Sequence, residues 1–317
     1  MADRLNAGAL SGALRDTPGI RGCVVWHAGR VVLEQYRHDI EPDALQPLNS
    51  ITKSVLGVLI GIALQRGDIK DIDQPLTELL PEARASERRP LPPIRLGHLL
   101  TMTSGYAWDE RNVDACLLHA CDHFGEGGRL EYIVGRPRAH PPGAHFEYDS
   151  HAAHLLSIVL TRATGQPTHA YARNHLFDPL GIVESDWEQD EAGVAMGGRG
   201  LMLSTRDLLK VGQLMLQQGE WAGRRLLPAH YVQASTRPHA EGGPPVSDAG
   251  YGYLWWVTDE TPNDATFFAS GFGEQLLLVN PAREIIAVFT SDNTKANKHV
   301  RELWRRHVVG SATESCR

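Results

Sequence analysis

The sequence predicts an α/β (α+β) fold in which one antiparallel sheet is assembled from both chain ends, with flanking helices and a helical insertion. Two observations carry the prediction. β-rich runs with turn signals sit at the two termini, and the segments between them show helical periodicity. A chain of 317 residues can form one large domain or two closely joined ones. Residues 1–70 with 245–317 read as a sheet domain and 71–244 as a mainly helical domain, with the active site at their junction.

The first sheet element is a hairpin. "GCVVWHAGRVVLEQYRHD" has two β-rich runs around His27-Ala28-Gly29-Arg30. Next comes "LNSITKSVLGVLIG", apolar on every side from Val55 onward, which marks a helix buried all round. In the middle, "LGHLLTMTSG", "SHAAHLLSIVLTRATG" and "STRDLLKVGQLMLQQG" are helical. The last two begin at Ser150 and Ser204 and end at a glycine, as N-caps and C-terminal stops predict. Ser204 with Asp207 resembles a capping pair. "YGYLWWVT", "ATFFAS" and "EQLLLVNPAREIIAVFTSDN" supply the remaining strands, the last two joined across Pro281 to Glu284. A C-terminal helix is expected from about Lys295.

Composition narrows the function classes. Hydrophobic content of 42% and charged content of 22% are those of a soluble globular protein. A net charge of −7 and scattered arginines argue against nucleic acid or an anionic membrane as partner. No apolar stretch reaches the roughly 18 residues of a transmembrane helix. The opening residues lack a signal-peptide core, so a cytoplasmic location is expected. Cys23, Cys116, Cys121 and Cys316 show no disulfide-scaffold density and no C-x-x-C pair, which reads as reduced thiols. Cys116, His119, Cys121 and His123 crowd together in "CLLHACDH", but no zinc spacing matches, so neither metal nor cofactor is expected.

Lys53 carries the chemistry. A charged ammonium at the mouth of an all-apolar helix loses hydration that the local sequence does not replace. Residues i and i+3 share a helix face, so Lys53 can point its nitrogen at the hydroxyl of Ser50. Serine needs a group to take its proton before it is a useful nucleophile. Burial and the positive helix end both favour an uncharged amine, which can accept that proton. Only five of the 31 basic residues are lysines, and an arginine here would stay protonated. Ser50 as a plain N-cap and Lys53 as a side chain snorkelling from a helix end fit the same spacing.

Two further stretches join this one. "PPGAHFEYDS" places Tyr148 and Ser150 before a helix, and "FFASGFGEQLLLV" places Ala269-Ser270-Gly271 on a strand with Gly273 close behind. Together with "SITK" they resemble the three signatures of the serine β-lactamase and penicillin-binding protein superfamily, in that family's order. The Tyr-x-Ser form is most similar to its class C and esterase-like branch, which includes carboxylesterases and aminohexanoate-dimer hydrolases. "IRLGHLLTMTSGY", "LTRATGQPTHAYARNHLFDPLGI" and "GGRGLMLSTRDLLKVGQLML" extend the resemblance from about Gly22 to Asn293.

The resemblance implies a β-lactamase/transpeptidase-like fold and a serine hydrolase cleaving esters or small amides through an acyl-enzyme. In that reading Ser50 is the nucleophile, Lys53 its base, and Tyr148 the proton shuttle. Ser150 caps its helix and relays a proton. The backbone N–H groups of Ser50 and Phe272 form the oxyanion hole, with Ser270, Gly271 and Gly273 on the substrate-side strand. β-Lactamases and peptidoglycan enzymes usually carry Lys or His where this chain has Ala269, which offers nothing to a β-lactam's carboxylate. Trp255, Trp256, Phe272, Tyr106 and Trp108 are candidates for an apolar acyl pocket or for the core. A β-lactamase, a D-alanyl-D-alanine carboxypeptidase and a non-turnover sensor of the same fold are the alternatives. The expected partner is a small-molecule ester or amide.

Overall fold

In a computed structural model of the chain, the structure describes residues 5–86, 92–110, 128–258, 265–294 and 298–309. Helix α1 (Ala7–Arg15) leads into the hairpin of β1 (Ile20–His27) and β2 (Arg30–Tyr36). Its turn residues Ala28 and Gly29 have φ of 44° and 92°, the double left-handed conformation that a two-residue hairpin turn requires. A short strand β3 (Gln46–Pro47) precedes α2 (Ile51–Arg66). The helices α3 (Leu96–Leu100), α4 (Gly128–Gly135) and α5 (Ser150–Thr164) follow. Strands β4 (Asp186–Trp187) and β5 (Leu201–Leu203) then lead to helix α6 (Thr205–Leu216). The closing run is β6 (Gly250–Tyr251), β7 (Trp256–Thr258), β8 (Thr266–Gly271), β9 (Gln275–Asn280), β10 (Ile285–Ser291) and helix α7 (Val300–Trp304).

The main sheet has seven strands in the order β2-β1-β10-β9-β8-β7-β6, every pairing antiparallel. The two chain ends meet where β1 pairs with β10, for example Val24 opposite Val288. Helix α2 is buried from Ile51 to Ala63 with no exposed face, because α5 covers one side while β8 and β9 lie on the other. Helix α6 packs on β1, β9 and β10. A second small sheet, β3-β5-β4, ties the residues just before α2 to the segment around Leu201. Cys23 in β1 is a free thiol buried in the core, and burial pushes its ionisation well up, so it does not compete as a nucleophile.

Two element boundaries differ from the sequence expectation, each for a physical reason. The cap of α5 is Asp149, whose carboxylate accepts from the N–H groups of His151 and Ala152, so Ser150 is the first helical residue. A buried ion pair to Arg136 at 2.7 Å fixes that aspartate. The C-terminal helix begins at Val300. Glu274, in the β8–β9 turn, accepts the N–H groups of Lys298 and Val300 at 2.7 and 2.8 Å and sets the start from outside the helix. Lys295, where the helix is expected to begin, lies outside the described residues, as do Cys116, His119, Cys121, His123 and Cys316. Ser204 caps α6 as expected, its hydroxyl accepting from Asp207 N at 3.1 Å.

Gly212 is where α6 meets the sheet. A Cβ there would lie 2.8 Å from Leu277 Cδ1 and 2.9 Å from Ile286 Cγ2. Gly212→Val should therefore lower stability by about 1–3 kcal/mol through overpacking, read as a lower urea midpoint at unchanged m-value.

Candidate active site

Ser50 sits at the junction of β3 and α2, on a backbone bent into place by its neighbour. Asn49 has φ of 50°, a conformation that side-chain-bearing residues adopt only when it is held. The hold is visible: Asn49 Nδ2 donates to Phe272 O and to Asn293 Oδ1, both at 2.8 Å. Leu48 N–H donates to Leu201 O, and Thr52 Oγ1 accepts from Leu201 N, so the second small sheet clamps both sides of the serine. Ser50 makes no capping bond with its side chain, which leaves its hydroxyl for Lys53.

Lys53 Nζ lies 2.9 Å from Ser50 Oγ and donates to Gly198 O at 2.8 Å, with the side chain only 1% exposed. Neither partner is a carboxylate. The same nitrogen stands 4.7 Å from the ring centroid of Tyr148, itself buried. Tyr148 stacks on Trp256 at 5.6 Å, and Phe146 and Tyr251 complete an aromatic wall, meeting each other at 5.2 Å. Burial, reinforced by Tyr148 and Glu110, raises the Tyr251 phenol well above its ordinary value, so it stays protonated.

Ser150 has a partner that sequence reasoning missed. Its hydroxyl donates to Glu110 Oε1, its backbone N–H donates to Glu110 Oε2 at 3.1 Å, and Trp108 Nε1 donates to the same oxygen. The Ser150 proton is thus committed to a carboxylate. No local pattern announces this partner, because Glu110 lies 40 positions before Ser150 in the chain.

On the sheet side, the structure brings β8 against the serine. A Cβ on Gly271 would stand 2.4 Å from Leu48 O and 3.2 Å from Asn49 Cβ, so only glycine permits this approach. Gly273 has φ of 77°, and a Cβ there would meet Asp292 O at 2.4 Å. Phe272 is 51% exposed at the mouth, with its carbonyl tied to Asn49. Ser270 is half-buried, and Ala269 is fully buried on the same strand face as Gly271. Among the candidate pocket aromatics, Trp256 reaches the site by stacking on Tyr148. Trp255 packs edge-on to Phe267 in the core, and Tyr106 and Trp108 flank the Arg136 guanidinium. A cavity of about 910 Å³ is lined by His145, Phe146, Glu241 and Gly250, and none of Ser50, Lys53 and Tyr148 lines it. Among the described residues no cluster of potential metal ligands occurs, and no helix is long and apolar enough to cross a membrane.

A serine, a buried lysine one turn on, a tyrosine from the helical segment and a glycine-lined strand converge here. Residues 10–311 match the family model for Beta-lactamase. The chain belongs to the Beta-lactamase family. Within it, the chain is similar to the 6-aminohexanoate-dimer hydrolase of Paenarthrobacter ureafaciens, 24% identical over 283 residues, covering 84% of this chain and 70% of that protein. It is also similar to esterase EstB of Burkholderia gladioli, 28% identical over 219 residues. That match spans 63% of this chain and about half of the esterase, 53%. Among solved structures, simvastatin synthase of Aspergillus terreus shares the fold with a TM-score of 0.74 at 18% identity, covering 97% and 99% of the two chains.

His151, beside the Asp149 cap, is held far from its ordinary ionisation. Burial first, then the Arg136 guanidinium, push its imidazole from 6.5 down to about 3, between the rings of Trp108 at 4.4 Å and Tyr132 at 5.7 Å. Below pH 6.5 the unfolded chain takes up a proton that the folded chain refuses, so stability falls as pH drops towards 3. Between pH 7 and pH 5 the wild type should lose about 2 kcal/mol more than His151→Phe, measured by urea unfolding at both pH values.

Proposed function

We propose that the protein is a serine hydrolase that cleaves esters or small amides through an acyl-enzyme on Ser50. The observation that carries this is the placement of Lys53 Nζ, 2.9 Å from Ser50 Oγ with its other partner a backbone carbonyl. A neutral amine has two N–H groups and one lone pair. Donation of one N–H to Gly198 O turns the lone pair towards Ser50, where it can receive the hydroxyl proton.

The steps balance as acyl transfer. Lys53 takes the Ser50 proton as Oγ bonds to the acyl carbon, and the resulting oxyanion is met by the N–H groups of Ser50 and Phe272. On collapse, the bond to the leaving alcohol or amine breaks, and the proton reaches it through the Tyr148 hydroxyl. Water then attacks the acyl carbon, the bond to Ser50 Oγ breaks, and the water's proton returns along the same groups to Oγ as the acid leaves. Ser150 is not on this route, because its proton belongs to Glu110; its part is to hold the N-terminus of α5 in place.

Substrate class follows from charge. Ala269 presents no cation, and Glu110 places an anion beside Ser150, so substrates bearing a carboxylate near the scissile bond are disfavoured. The names of the hydrolase and esterase relatives support esters and linear amides. The test is intact mass after treatment with a fluorophosphonate, followed by turnover of p-nitrophenyl esters, a linear amide dimer and nitrocefin. One adduct per wild-type chain, none on Ser50→Ala and ester turnover far above nitrocefin are expected. An equal adduct on Ser50→Ala, or rapid nitrocefin hydrolysis, contradicts the reading.

A further inference from the structure

Gly198, whose carbonyl accepts from Lys53, lies in the loop before β5 and belongs to no strand. Gly197 and Gly198 lie flush on the first turns of α5: a Cβ on Gly197 would stand 2.4 Å from Ala153 O, and one on Gly198 2.9 Å from Ser150 O. On either side of the pair, Met196 N–H donates to Glu188 O at 2.8 Å and Gly200 O accepts from Glu188 N–H at 3.0 Å. Within the pair, the bond is Gly197 N–H to His154 Nδ1 at 3.1 Å. An imidazole nitrogen that accepts cannot carry the proton, so the proton of the neutral ring is on Nε2. Nε2 lies 2.9 Å from Asp190 Oδ2, and both side chains are buried, at 1% and 3% exposure.

Asp190 is itself fixed. Its Oδ1 accepts from Ala192 N at 2.9 Å and from Val194 N at 2.8 Å. Burial works to raise its ionisation, but the bond from His154 and those two N–H groups prevail and hold it below the usual carboxylate value. An ionised Asp190 demands a donor, and that demand selects the Nε2–H tautomer of His154.

We propose that His154 and Asp190 are positioning residues for the Ser50 reaction, setting Gly198 O through Gly197 so that the lone pair of Lys53 faces Ser50. The chain of bonds runs Asp190–His154–Gly197, and then through the backbone of both glycines to Gly198 O and Lys53. Nothing in it touches substrate. The inference rests on the acyl-enzyme reading above and adds two residues that the three sequence signatures do not contain.

The experiment compares three near-isosteric variants by the rate of fluorophosphonate labelling per active chain, with final stoichiometry and thermal midpoint measured alongside. In His154→Gln the side-chain amide reaches Asp190 but leaves Gly197 N–H without its acceptor. In His154→Asn the amide oxygen stands where Nδ1 was and keeps that acceptor, while the Asp190 contact is lost. Asp190→Asn keeps its oxygen on the two backbone N–H groups and turns its NH2 towards His154, forcing the other tautomer against Gly197 N–H. The expected result is a labelling rate about 10- to 100-fold lower in His154→Gln and Asp190→Asn at full final stoichiometry. His154→Asn should label faster than His154→Gln even though it removes more volume. A purely structural pair predicts the opposite order, with losses in thermal midpoint and stoichiometry rather than in rate per active chain. Wild-type rates in His154→Gln, or in Asp190→Asn alone should the histidine variants not fold, overturn the proposal while leaving Ser50 labelling intact. A wild type that does not label at Ser50 removes the acyl-enzyme reading and this inference with it.

Discussion

A buried primary amine held between a serine hydroxyl and a backbone carbonyl is the constraint around which the molecule is organised. Lys53 can occupy that place only because three separate parts of the chain meet there. Helix α2 supplies the lysine and the serine. The loop before β5 supplies Gly198 O, and the segment before α5 supplies Tyr148. Burial of the amine removes water that would otherwise compete for both contacts, so small displacements of any of the three parts are felt at one nitrogen.

The rest of the fold can be understood as the support for that meeting. Joining β1 to β10 unites both chain ends in one sheet, and within that sheet β8 is paired on one side with β9 and on the other with β7. The end of β8 then approaches Ser50 closely enough that Gly271 is the only residue type that fits. Asn49 bridges the two, stitching the serine's own backbone to Phe272 and Asn293. A strained φ at Asn49 is tolerated because those bonds over-determine it.

Much of this was legible in the sequence, and the exceptions share a cause. The buried helix, the Ala28-Gly29 hairpin and the closing strands follow from local periodicity and turn chemistry, which residues near in sequence decide. The Ser50–Lys53 contact was legible for the same reason, being one helical turn. What was not legible depends on partners distant along the chain. Asp149 displaces Ser150 as the cap because Arg136 and two backbone N–H groups converge on it. Glu110 claims the Ser150 proton from 40 positions away. Gly198 looked like one more glycine in "GGRG" until its carbonyl met Lys53. The start of the last helix is set by Glu274, which no local capping pattern announces.

The central claim, that Lys53 acts as a base rather than as a fixed positive charge, is tested most directly by Lys53→Arg. Arginine keeps a cation on a somewhat longer side chain with a planar head but cannot give up its proton. The decisive measurement is the pre-steady-state acylation rate with a p-nitrophenyl ester, read as the burst of p-nitrophenol. The account predicts a loss of about 1,000-fold or more against wild type, with the thermal midpoint little changed. A burst within about tenfold of wild type would contradict it, because a permanent cation would then suffice.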